Sequence, residues 1–552
     1  MKAVLTDWRL CWLLLLLPVA VFLPALPIDE TRYLSIAWEM RFSHDFLALH
    51  LNGAPYSDKG PLLFWLINLA WLPFGPQVWT VRAGILAASF CSLLLFERLV
   101  LRLAPTAAPD RRALATRATL LLGGIVYFAL FSSAIMFDVV LATFVLVALH
   151  GIADFDERRW PRGIALAAIG FGLGLLTKGP AVLLDAGLVA LFAPWWSATA
   201  REQPGRWYAC VLAGVIGGVA IALAWAVAVY GVAGLWSEII LHQTVGRVVK
   251  SFAHQRPFWW YFMVLPFMLL PWTLSLRAPW RAWREHFLAG KAARFGLVWF
   301  VPAFAVFCFA ISGKQPHYLL PILPGLALYL ATVLGDAAAR LRGRLFGALL
   351  LVAGLAFAAV PTLAAHAREI SLLERLHLTD AFLRVVAGLW PLWGALVAAI
   401  GAWLLCARDA HASLRALALA SVATAACGML ALAQDVGPYV DVSVAAARIK
   451  QIQESGQPIA HLAWHHGLFE FPGRFTRPLP KVNYADLRTW CAAHPDGEIV
   501  TFYTKYPITA KPELELPYRF GRIIFWRAAD ILAMPAVPAK PIAPDDEDAP
   551  ED

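Results

Sequence analysis

The chain has 552 residues, of which 60% are hydrophobic and only 15% are charged, and its net charge is +9. In a soluble globular protein about a quarter of the residues are charged, so this composition excludes a soluble chain of this size. It also argues against nucleic-acid binding, because the basic residues are spaced between hydrophobic runs instead of clustering in one polar segment. The seven cysteines lie mostly in or beside those runs and do not indicate a disulfide framework.

Hydrophobic runs of membrane-spanning length recur along the chain. A helix needs roughly 20 apolar residues to cross the hydrocarbon core of a bilayer. This criterion predicts about thirteen spans, over residues 10–27, 78–101, 118–134, 137–153, 164–177, 180–196, 207–231, 258–276, 295–312, 318–335, 345–364, 383–406 and 416–434. We interpret the first run as an uncleaved span and not as a signal peptide, because a charged segment follows it at once.

The loop 28–77 between the first two spans contains two amphipathic stretches, 33–42 and 61–72. These are too short to cross a bilayer and are typical of helices that lie in the membrane interface. Lys and Arg are more frequent in the loops on the side of the N-terminus, which therefore faces the cytoplasm. The loop 28–77 then faces the opposite side, and an odd number of spans places the C-terminal tail there too.

The tail differs in composition from the rest of the chain. Residues 435–534 are polar, and their pattern predicts a small α/β domain, with strand-like pieces at 458–464, 498–503 and 522–526 and a helix-like piece at 484–493. We interpret His465 and His466 as surface residues of this domain. Residues 535–552 are rich in Pro, Ala, Asp and Glu, which predicts disorder. The sequence therefore divides into a transmembrane domain, 1–434, which includes the loop 28–77, then the α/β domain and the tail.

Ionisable residues at the outer ends of the spans are the candidates for function, because charges are costly near lipid. The predicted topology places all of these on one side: Asp29, Glu30, Arg32, Asp58, Lys59, Asp138, Lys178, His242, Arg247, His254, Arg256, Lys314, His317 and Tyr318. Basic residues interleaved with carboxylates suit a phosphate-containing ligand. This set of residues predicts a site on the extracytoplasmic side.

Each candidate also has a structural alternative, and these stay open. Asp29 and Glu30 suit the start of a helix, where acidic residues are favoured. The segment 58–61 suits a turn that leads into a helix with Pro in its first position. Asp138 suits an N-cap at the membrane surface, and Lys178 suits a side chain that extends from lipid to the interface.

Six motifs in chain order resemble the aminoarabinose transferases of lipid A, which belong to the C-type glycosyltransferases together with the dolichyl-phosphate-mannose protein mannosyltransferases. The motifs occupy 29–33 (DETRY), 56–62 (YSDKGPL), 137–138 (FD), 176–180 (LTKGP), 242–261 and 312–321 (SGKQPHYLLP). The resemblance implies a mainly α, polytopic membrane protein. In that fold about thirteen helices form a bundle, with interfacial helices in the first periplasmic loop and a small C-terminal α/β domain.

The resemblance also implies a reaction and roles for single residues. The donor would be an undecaprenyl-phosphate-linked sugar in the bilayer of the bacterial inner membrane, and the acceptor would be a lipid such as lipid A, a glycan or a protein on the periplasmic side. The implied catalytic carboxylates are Asp29, Asp138, Asp58 and Glu30. The implied donor-phosphate ligands are Lys59, Arg247, Arg32, Lys178, Arg256 and Lys314, and the implied site-lining residues are Tyr318 and His254.

A divalent metal is the one cofactor under consideration, held by Asp58 and His242, and two ligands alone do not define such a site. Asp58 departs from the family, which usually has Glu at this position, and this puts its role in doubt. Chemically, Lys and Arg can stabilise the departing phosphate, and a carboxylate can take the proton of an acceptor hydroxyl.

Two other functions compete with the transferase. A transporter or flippase of lipid-linked sugars would also need basic residues for phosphate, but it typically has internal repeats and charges at midplane depth. We find neither in the sequence. A non-catalytic assembly protein is the third hypothesis, and it predicts that the carboxylates are dispensable.

Overall fold

The computed structural model describes residues 7–104, 108–234, 255–275, 288, 290–334, 343–367, 383, 386–406, 410–502, 508–519 and 521–535. Contacts divide the chain into two units. The transmembrane unit comprises Met1–Leu23 and Trp79–Asp435, and the α/β unit comprises Pro24–Val78 and Val436–Asp552. The sequence grouped the loop 28–77 with the spans, whereas in the structure this loop packs with the C-terminal domain.

The transmembrane unit is built from apolar helices. They are Trp8–Phe22, Val78–Leu103, Ala108–Gly123, Val126–Phe131, Phe137–Asp156, Trp160–Lys178, Leu188–Leu191, Ala198–Glu202, Pro204–Gly234, Trp260–Met268, Trp272–Ser275, Gly290–Phe309, Leu323–Leu334, Gly343–Ala365, Pro391–Cys406 and Ala410–Ala431. Within the described residues, eight helices are long and apolar enough to cross a membrane, and two shorter apolar helices accompany them. Each predicted run falls on helical structure, and the number of spans stays a prediction.

Two predicted spans are not regular α-helices throughout. The run 180–196 contains a π-helical turn, Leu183–Gly187, and a 3₁₀ turn, Ala193–Trp195. The run 318–335 begins as a 3₁₀ helix, Pro316–Ile322, which contains Pro321. Proline has no backbone N–H to donate, so α-helical hydrogen bonding does not extend through this segment.

Small residues bring two of the helices together. A Cβ atom added to Gly151 would lie 2.6 Å from the amide nitrogen of Ala167 and 2.7 Å from the carbonyl oxygen of Gly163. Only glycine therefore allows Phe137–Asp156 and Trp160–Lys178 to pack so closely, as in other membrane helix pairs. Because the pair is a hairpin, the first turn of one helix and the last turn of the other lie at the same end.

The α/β unit contains a five-stranded sheet and several helices. Its strands are β1 (His50–Leu51), β2 (Ala54–Pro55), β3 (Ile459–Leu462), β4 (Lys481–Val482), β5 (Glu498–Phe502), β6 (Leu514–Tyr518) and β7 (Gly521–Arg527). The sheet order is β4-β3-β5-β7-β6, in which β3 pairs parallel with β4 and β5 while the other pairs are antiparallel. β1 and β2 form a separate hairpin.

Helices form most of the rest of the α/β unit. They are Asp29–Ser43, Leu62–Ala70, Gly437–Val440, Ser443–Ser455, Glu470–Gly473, Leu487–Ala493 and Ala528–Ala533. Apolar side chains form a core on both faces of the sheet. The predicted α/β fold of the tail is confirmed, and its strand-like pieces are β3, β5 and β7. Residues from 536 onward, and with them most of the tail predicted to be disordered, lie outside the described residues.

The loop 28–77 packs on the C-terminal domain through aromatic and backbone contacts. The Trp71 and Phe471 rings stack with centroids 5.3 Å apart. Asn52 donates to the carbonyl of Leu479 and accepts from its amide, at 2.8 and 2.7 Å. The Trp38 indole donates to the carbonyl of Phe475 at 2.7 Å. These contacts join the two segments into one unit although about 400 residues separate them in sequence.

The prediction that His465 is a surface residue is wrong. Its side chain is 1% exposed, and its ring lies 5.1 Å from that of His461 and 6.1 Å from that of Phe469. The chain after β3 adopts left-handed conformations at Ala463 and His466, which turn the loop inward. His466 itself is half-buried.

Candidate active site

A buried ion pair occupies the end of the helical hairpin in the transmembrane unit. Asp138 lies in the first turn of Phe137–Asp156 and is 2% exposed, and Lys178 ends Trp160–Lys178. The Lys178 Nζ lies 2.6 Å from the Asp138 Oδ1. Each charge sits at the helix end that the helix dipole favours, the carboxylate at an N-terminus and the ammonium at a C-terminus.

Two residues from the segment 312–321 complete this group. The His317 Nε2 lies 3.8 Å from the Asp138 Oδ2. The Lys178 Nζ lies 4.2 Å from the centroid of the Tyr318 ring, in the range of a cation–π contact. Three elements thus meet around Asp138 and Lys178.

The geometry bears on two of the structural alternatives in this unit. Asp138 does not cap its helix, because the N-cap residue is Met136 and no side chain makes the cap hydrogen bond. The Lys178 ammonium binds Asp138 and lies over the Tyr318 ring, and its extension to the interface stays an open alternative. A buried, paired carboxylate and ammonium at a span end are typical of a functional site in a membrane protein.

Sequence reasoning missed a second buried carboxylate in this region. Asp185 lies in the π turn Leu183–Gly187, and its side chain is 1% exposed. Its electrostatic neighbours are Lys178 and Asp138. The signal was present in the sequence, since a lone Asp in an apolar run is costly and favours function. The sequence alone placed it inside a regular span.

Backbone contacts hold the segment 312–318 in place. The Tyr261 hydroxyl donates to the carbonyl of Gln315 at 3.0 Å, and the Arg256 amide donates to the carbonyl of Ser312 at 3.2 Å. The Lys314 ammonium donates to the carbonyl of Ile311. Lys314 is 4% exposed, and burial lowers its pKa. Arg256 is exposed.

The α/β unit presents a second group of candidate residues. Asp29 begins the helix Asp29–Ser43, its side chain is 44% exposed, and its Oδ1 accepts hydrogen bonds from Arg32 and, at 3.3 Å, from the Tyr33 hydroxyl. Burial alone would lower the pKa of Arg32, but Tyr56, Tyr33 and Asp29 outweigh it and raise the pKa. Arg32 therefore stays charged and holds Asp29 in one orientation.

Glu30 and the segment 58–61 have more local roles. The Glu30 side chain is buried, and its Oε2 accepts from the amide of Leu26 at 2.7 Å, which favours the structural alternative for this residue. Asp58 is exposed in a turn, where the Lys59 ammonium lies 3.4 Å from the Asp58 carbonyl oxygen. The helix that follows begins at Leu62, with Pro61 as its N-cap.

Three predicted site residues, His242, Arg247 and His254, lie outside the described residues. The metal site predicted for Asp58 and His242 is therefore untested. Within the described part of the chain, no group of three or more His, Cys, Asp or Glu side chains is arranged to hold a metal ion.

Comparison with known proteins bears on this arrangement. No family model matches the chain. The undecaprenyl phosphate-alpha-4-amino-4-deoxy-L-arabinose arabinosyl transferase of Pseudomonas aeruginosa PAO1 is 32% identical over 311 residues, which are 55% of each chain. The transferase 1 of that name from Pseudomonas fluorescens Pf-5 is 31% identical over 350 residues, 62% of this chain and 61% of the relative. The chain thus spans little more than half the length of these curated relatives.

A solved structure matches nearly the whole chain. ArnT from Cupriavidus metallidurans bound to undecaprenyl phosphate has a TM-score of 0.71 and 18% identity, and the match covers 95% of this chain and 98% of that one. This chain has the ArnT fold. The apo structure of the same ArnT matches equally well, with a TM-score of 0.71 and 17% identity.

The ArnT fold confirms the predicted architecture of a helical membrane protein with a small sheet-containing domain. The sequence relatives confirm the resemblance to the aminoarabinose transferases. The chain is a multi-pass bacterial membrane protein. In this ArnT fold the helical bundle holds the pair Asp138 and Lys178 at the paired ends of two helices.

Proposed function

We propose that the chain is an integral membrane glycosyltransferase. It moves a sugar from an undecaprenyl-phosphate-linked donor to an acceptor on the periplasmic face of the bacterial inner membrane. The names of the relatives support this donor, as does the undecaprenyl phosphate bound to the ArnT that shares the fold. The observation that carries the proposal is the buried pair Asp138–Lys178 with His317 and Tyr318 beside it.

The chemistry of transfer needs both signs of charge. An acceptor oxygen, from a hydroxyl or a phosphate group, attacks the anomeric carbon of the sugar, the bond from that carbon to the oxygen of the carrier phosphate breaks, and undecaprenyl phosphate leaves as an anion. Positive groups stabilise that anion as it forms. In the transmembrane unit Lys178 supplies such a cation at a span end.

If the acceptor is a hydroxyl, a carboxylate accepts the proton that this hydroxyl loses. Asp29 suits this role, because its side chain is 44% exposed while Arg32 and Tyr33 fix its orientation. General-base catalysis of this kind contributes roughly 10²–10⁴-fold to the rate. Asp138 suits a second role, because its charge is balanced by Lys178 until a phosphate competes for the ammonium.

The acceptor class is part of the proposal and is the least constrained. We propose a hydroxyl or phosphate group of an envelope lipid, lipid A included, with a glycan or a protein as the alternatives. Asp58 differs from the Glu that the aminoarabinose transferases usually carry, so the acceptor need not be theirs. A divalent metal at Asp58 and His242 stays a proposal as well, and its test is the effect of a chelator on transfer.

The test is a transfer assay in proteoliposomes, with undecaprenyl-phosphate sugars labelled in the sugar and an envelope extract as acceptor. We expect label to move with the wild type and not with Asp138→Asn or Lys178→Met. Asp496→Asn is the matched control, because Asp496 is an exposed carboxylate of the α/β unit. Movement of labelled donor between leaflets without transfer would replace the enzyme by the flippase.

A further inference from the structure

The loop 463–467 follows β3 at the carboxyl edge of the parallel strands in the α/β unit. The chain passes from β3 to β4 on one side and later enters β5 on the other side of β3. Such a change of direction leaves a crevice at the carboxyl ends of the strands, and open α/β sheets bind their ligands there. The proposed mechanism uses no residue of this loop.

The backbone of this loop has an unusual conformation for its sequence. Ala463 and His466 have φ of +68° and +52°, in the left-handed region that non-glycine residues rarely adopt. The amides of Trp464, His465 and Gly467 donate to no backbone carbonyl among the residues that the structure describes. Left-handed turns can direct successive amides to one side, and this arrangement binds anions in many proteins. The backbone of the loop therefore favours an anionic ligand.

Side chains add a cation and aromatic rings at the same edge. The Nζ of Lys481, which lies in β4, is 5.5 Å from the centroid of the Trp464 ring. The Trp464 ring lies 5.9 Å from that of His466 and 6.0 Å from that of His465. Lys481, Trp464 and His466 are all partly exposed. A cation–π contact orients an ammonium and leaves its charge in place, so Lys481 can still bind a phosphate group.

The loop packs against the helix that carries the proposed general base. A Cβ atom on Gly467 would lie 3.2 Å from the Arg32 Cα. The Ser35 hydroxyl donates to the carbonyl of Gly467 at 2.8 Å and accepts from the amide of Phe471 at 3.1 Å. Arg32 lies about one helical turn from Asp29 and donates a hydrogen bond to its carboxylate. The loop therefore borders the end of the helix at which an acceptor would lose its proton.

We propose that the loop 463–467 and Lys481 form an anion subsite that binds a phosphate group of the acceptor. This inference rests on the proposed function, because it takes the acceptor to lie beside Asp29. Lys481 contacts the phosphate, and Trp464 is a positioning residue that holds the ammonium. A neutral glycan or a protein offers no phosphate to Lys481, so the subsite selects a phosphorylated envelope lipid.

The proposal predicts graded effects at two positions. Lys481→Glu should weaken the binding of lipid A about tenfold, because a charge-assisted contact to phosphate is lost. Lys481→Arg should keep most of the affinity, since the cation remains. Trp464→Ala should weaken binding about threefold, the effect of one exposed cation–π contact. A purely structural role would instead lower the unfolding temperature and would not depend on the phosphate of the ligand.

The experiment measures how the purified full chain in detergent binds lipid A, the same lipid A stripped of its phosphates, and undecaprenyl phosphate. Thermal unfolding and sugar transfer are measured beside it, and Lys511→Glu is the control, since Lys511 is an exposed lysine of the same unit. We expect the wild type and the control to bind the stripped lipid about tenfold more weakly than lipid A. Lys481→Glu should bind both forms alike and should bind undecaprenyl phosphate as the wild type does.

The outcomes separate the subsite from the transferase. Wild-type affinity for lipid A in a stable Lys481→Glu variant would overturn the subsite, and so would a wild type that does not bind lipid A. An equal loss of affinity for undecaprenyl phosphate would assign Lys481 to the donor and would also overturn it. Phosphate-dependent binding through Lys481 supports the subsite even if none of the sugars tested is transferred, a result that would contradict only the transferase.

Discussion

Glu470→Gln should change the pH dependence of stability in the α/β unit. Glu470 is 4% exposed, and its Oε1 lies 3.2 Å from the Nδ1 of the buried His465. Burial raises the pKa of Glu470 from its ordinary 4.5 to about 7 and lowers the pKa of His465 from 6.5 to about 4. Both groups are therefore neutral in the folded chain near pH 5.5.

The sign follows from which state holds more protons. Between pH 4.5 and 7 the folded chain keeps the proton of Glu470 while the unfolded chain releases it, so the contribution of Glu470 to stability falls as the pH rises. A pKa difference of about 2.5, at about 1.36 kcal/mol for each pKa unit, makes this loss about 3 kcal/mol. His465 has the opposite effect between pH 4 and 6.5, because there the unfolded chain holds more protons.

In the wild type these two contributions nearly cancel between pH 4.5 and 6.5, and the variant keeps only that of His465. The free energy of unfolding of Glu470→Gln, relative to wild type, should therefore rise by about 3 kcal/mol from pH 4.5 to pH 7. Hydrogen exchange of the β3 amides measures this free energy. At each pH the protection factor of the variant is divided by that of the wild type, and this protection ratio is free of the intrinsic exchange rate. The protection ratio should change by about two orders of magnitude.

The control for this experiment is Glu454→Gln, because Glu454 is an exposed acid on the helix Ser443–Ser455 of the same unit. Its protection ratio to wild type should be the same at every pH. A ratio for Glu470→Gln that is equally flat would refute the reasoning, since it would mean that Glu470 titrates as an exposed glutamate does.

Two further variants test the packing around the candidate residues. Gly467→Ala should destabilise the α/β unit by about 2 kcal/mol. Gly467 has a φ of +75°, and a Cβ there would lie 2.7 Å from the Leu51 Cδ1 and 3.2 Å from the Arg32 Cα. Unchanged thermal unfolding of this variant would contradict the prediction. Lys178→Met should destabilise the transmembrane unit by about 3–5 kcal/mol by leaving the buried Asp138 unpaired. The double variant with Asp138→Leu should recover most of that loss in thermal unfolding, and no recovery would mean that the pair is not coupled.

The sequence predicted those site residues whose charge costs free energy near lipid, whatever their partners in the fold. A lone carboxylate in an apolar run and a Lys before Gly-Pro are expensive near lipid, and this physical cost indicated Asp138 and Lys178. The same reasoning applied to Asp185, but periodicity predicted a regular span there. A π turn leaves no mark in hydrophobic periodicity, so the sequence could not show that this acid lies in an irregular turn.

The remaining differences between the prediction and the structure depend on contacts between distant parts of the chain. Stacking of Trp71 on Phe471 joins the loop 28–77 to the C-terminal domain, and no local pattern predicts such a pairing. His465 was misassigned for a related reason. Its burial depends on left-handed backbone at Ala463 and His466, non-glycine residues that rarely adopt this conformation.

The measurement that tests the central claim most directly is sugar transfer in proteoliposomes by the wild type and by Asp29→Asn, with Asp496→Asn as the control. The account predicts that label passes from undecaprenyl phosphate to an envelope acceptor with the wild type and with the control. Asp29→Asn should transfer label at least a hundredfold more slowly, because a general base contributes roughly 10²–10⁴-fold to the rate. Equal transfer by all three proteins would contradict the catalytic role of Asp29. Labelled donor that changes leaflet while no sugar is transferred would contradict the glycosyltransferase itself.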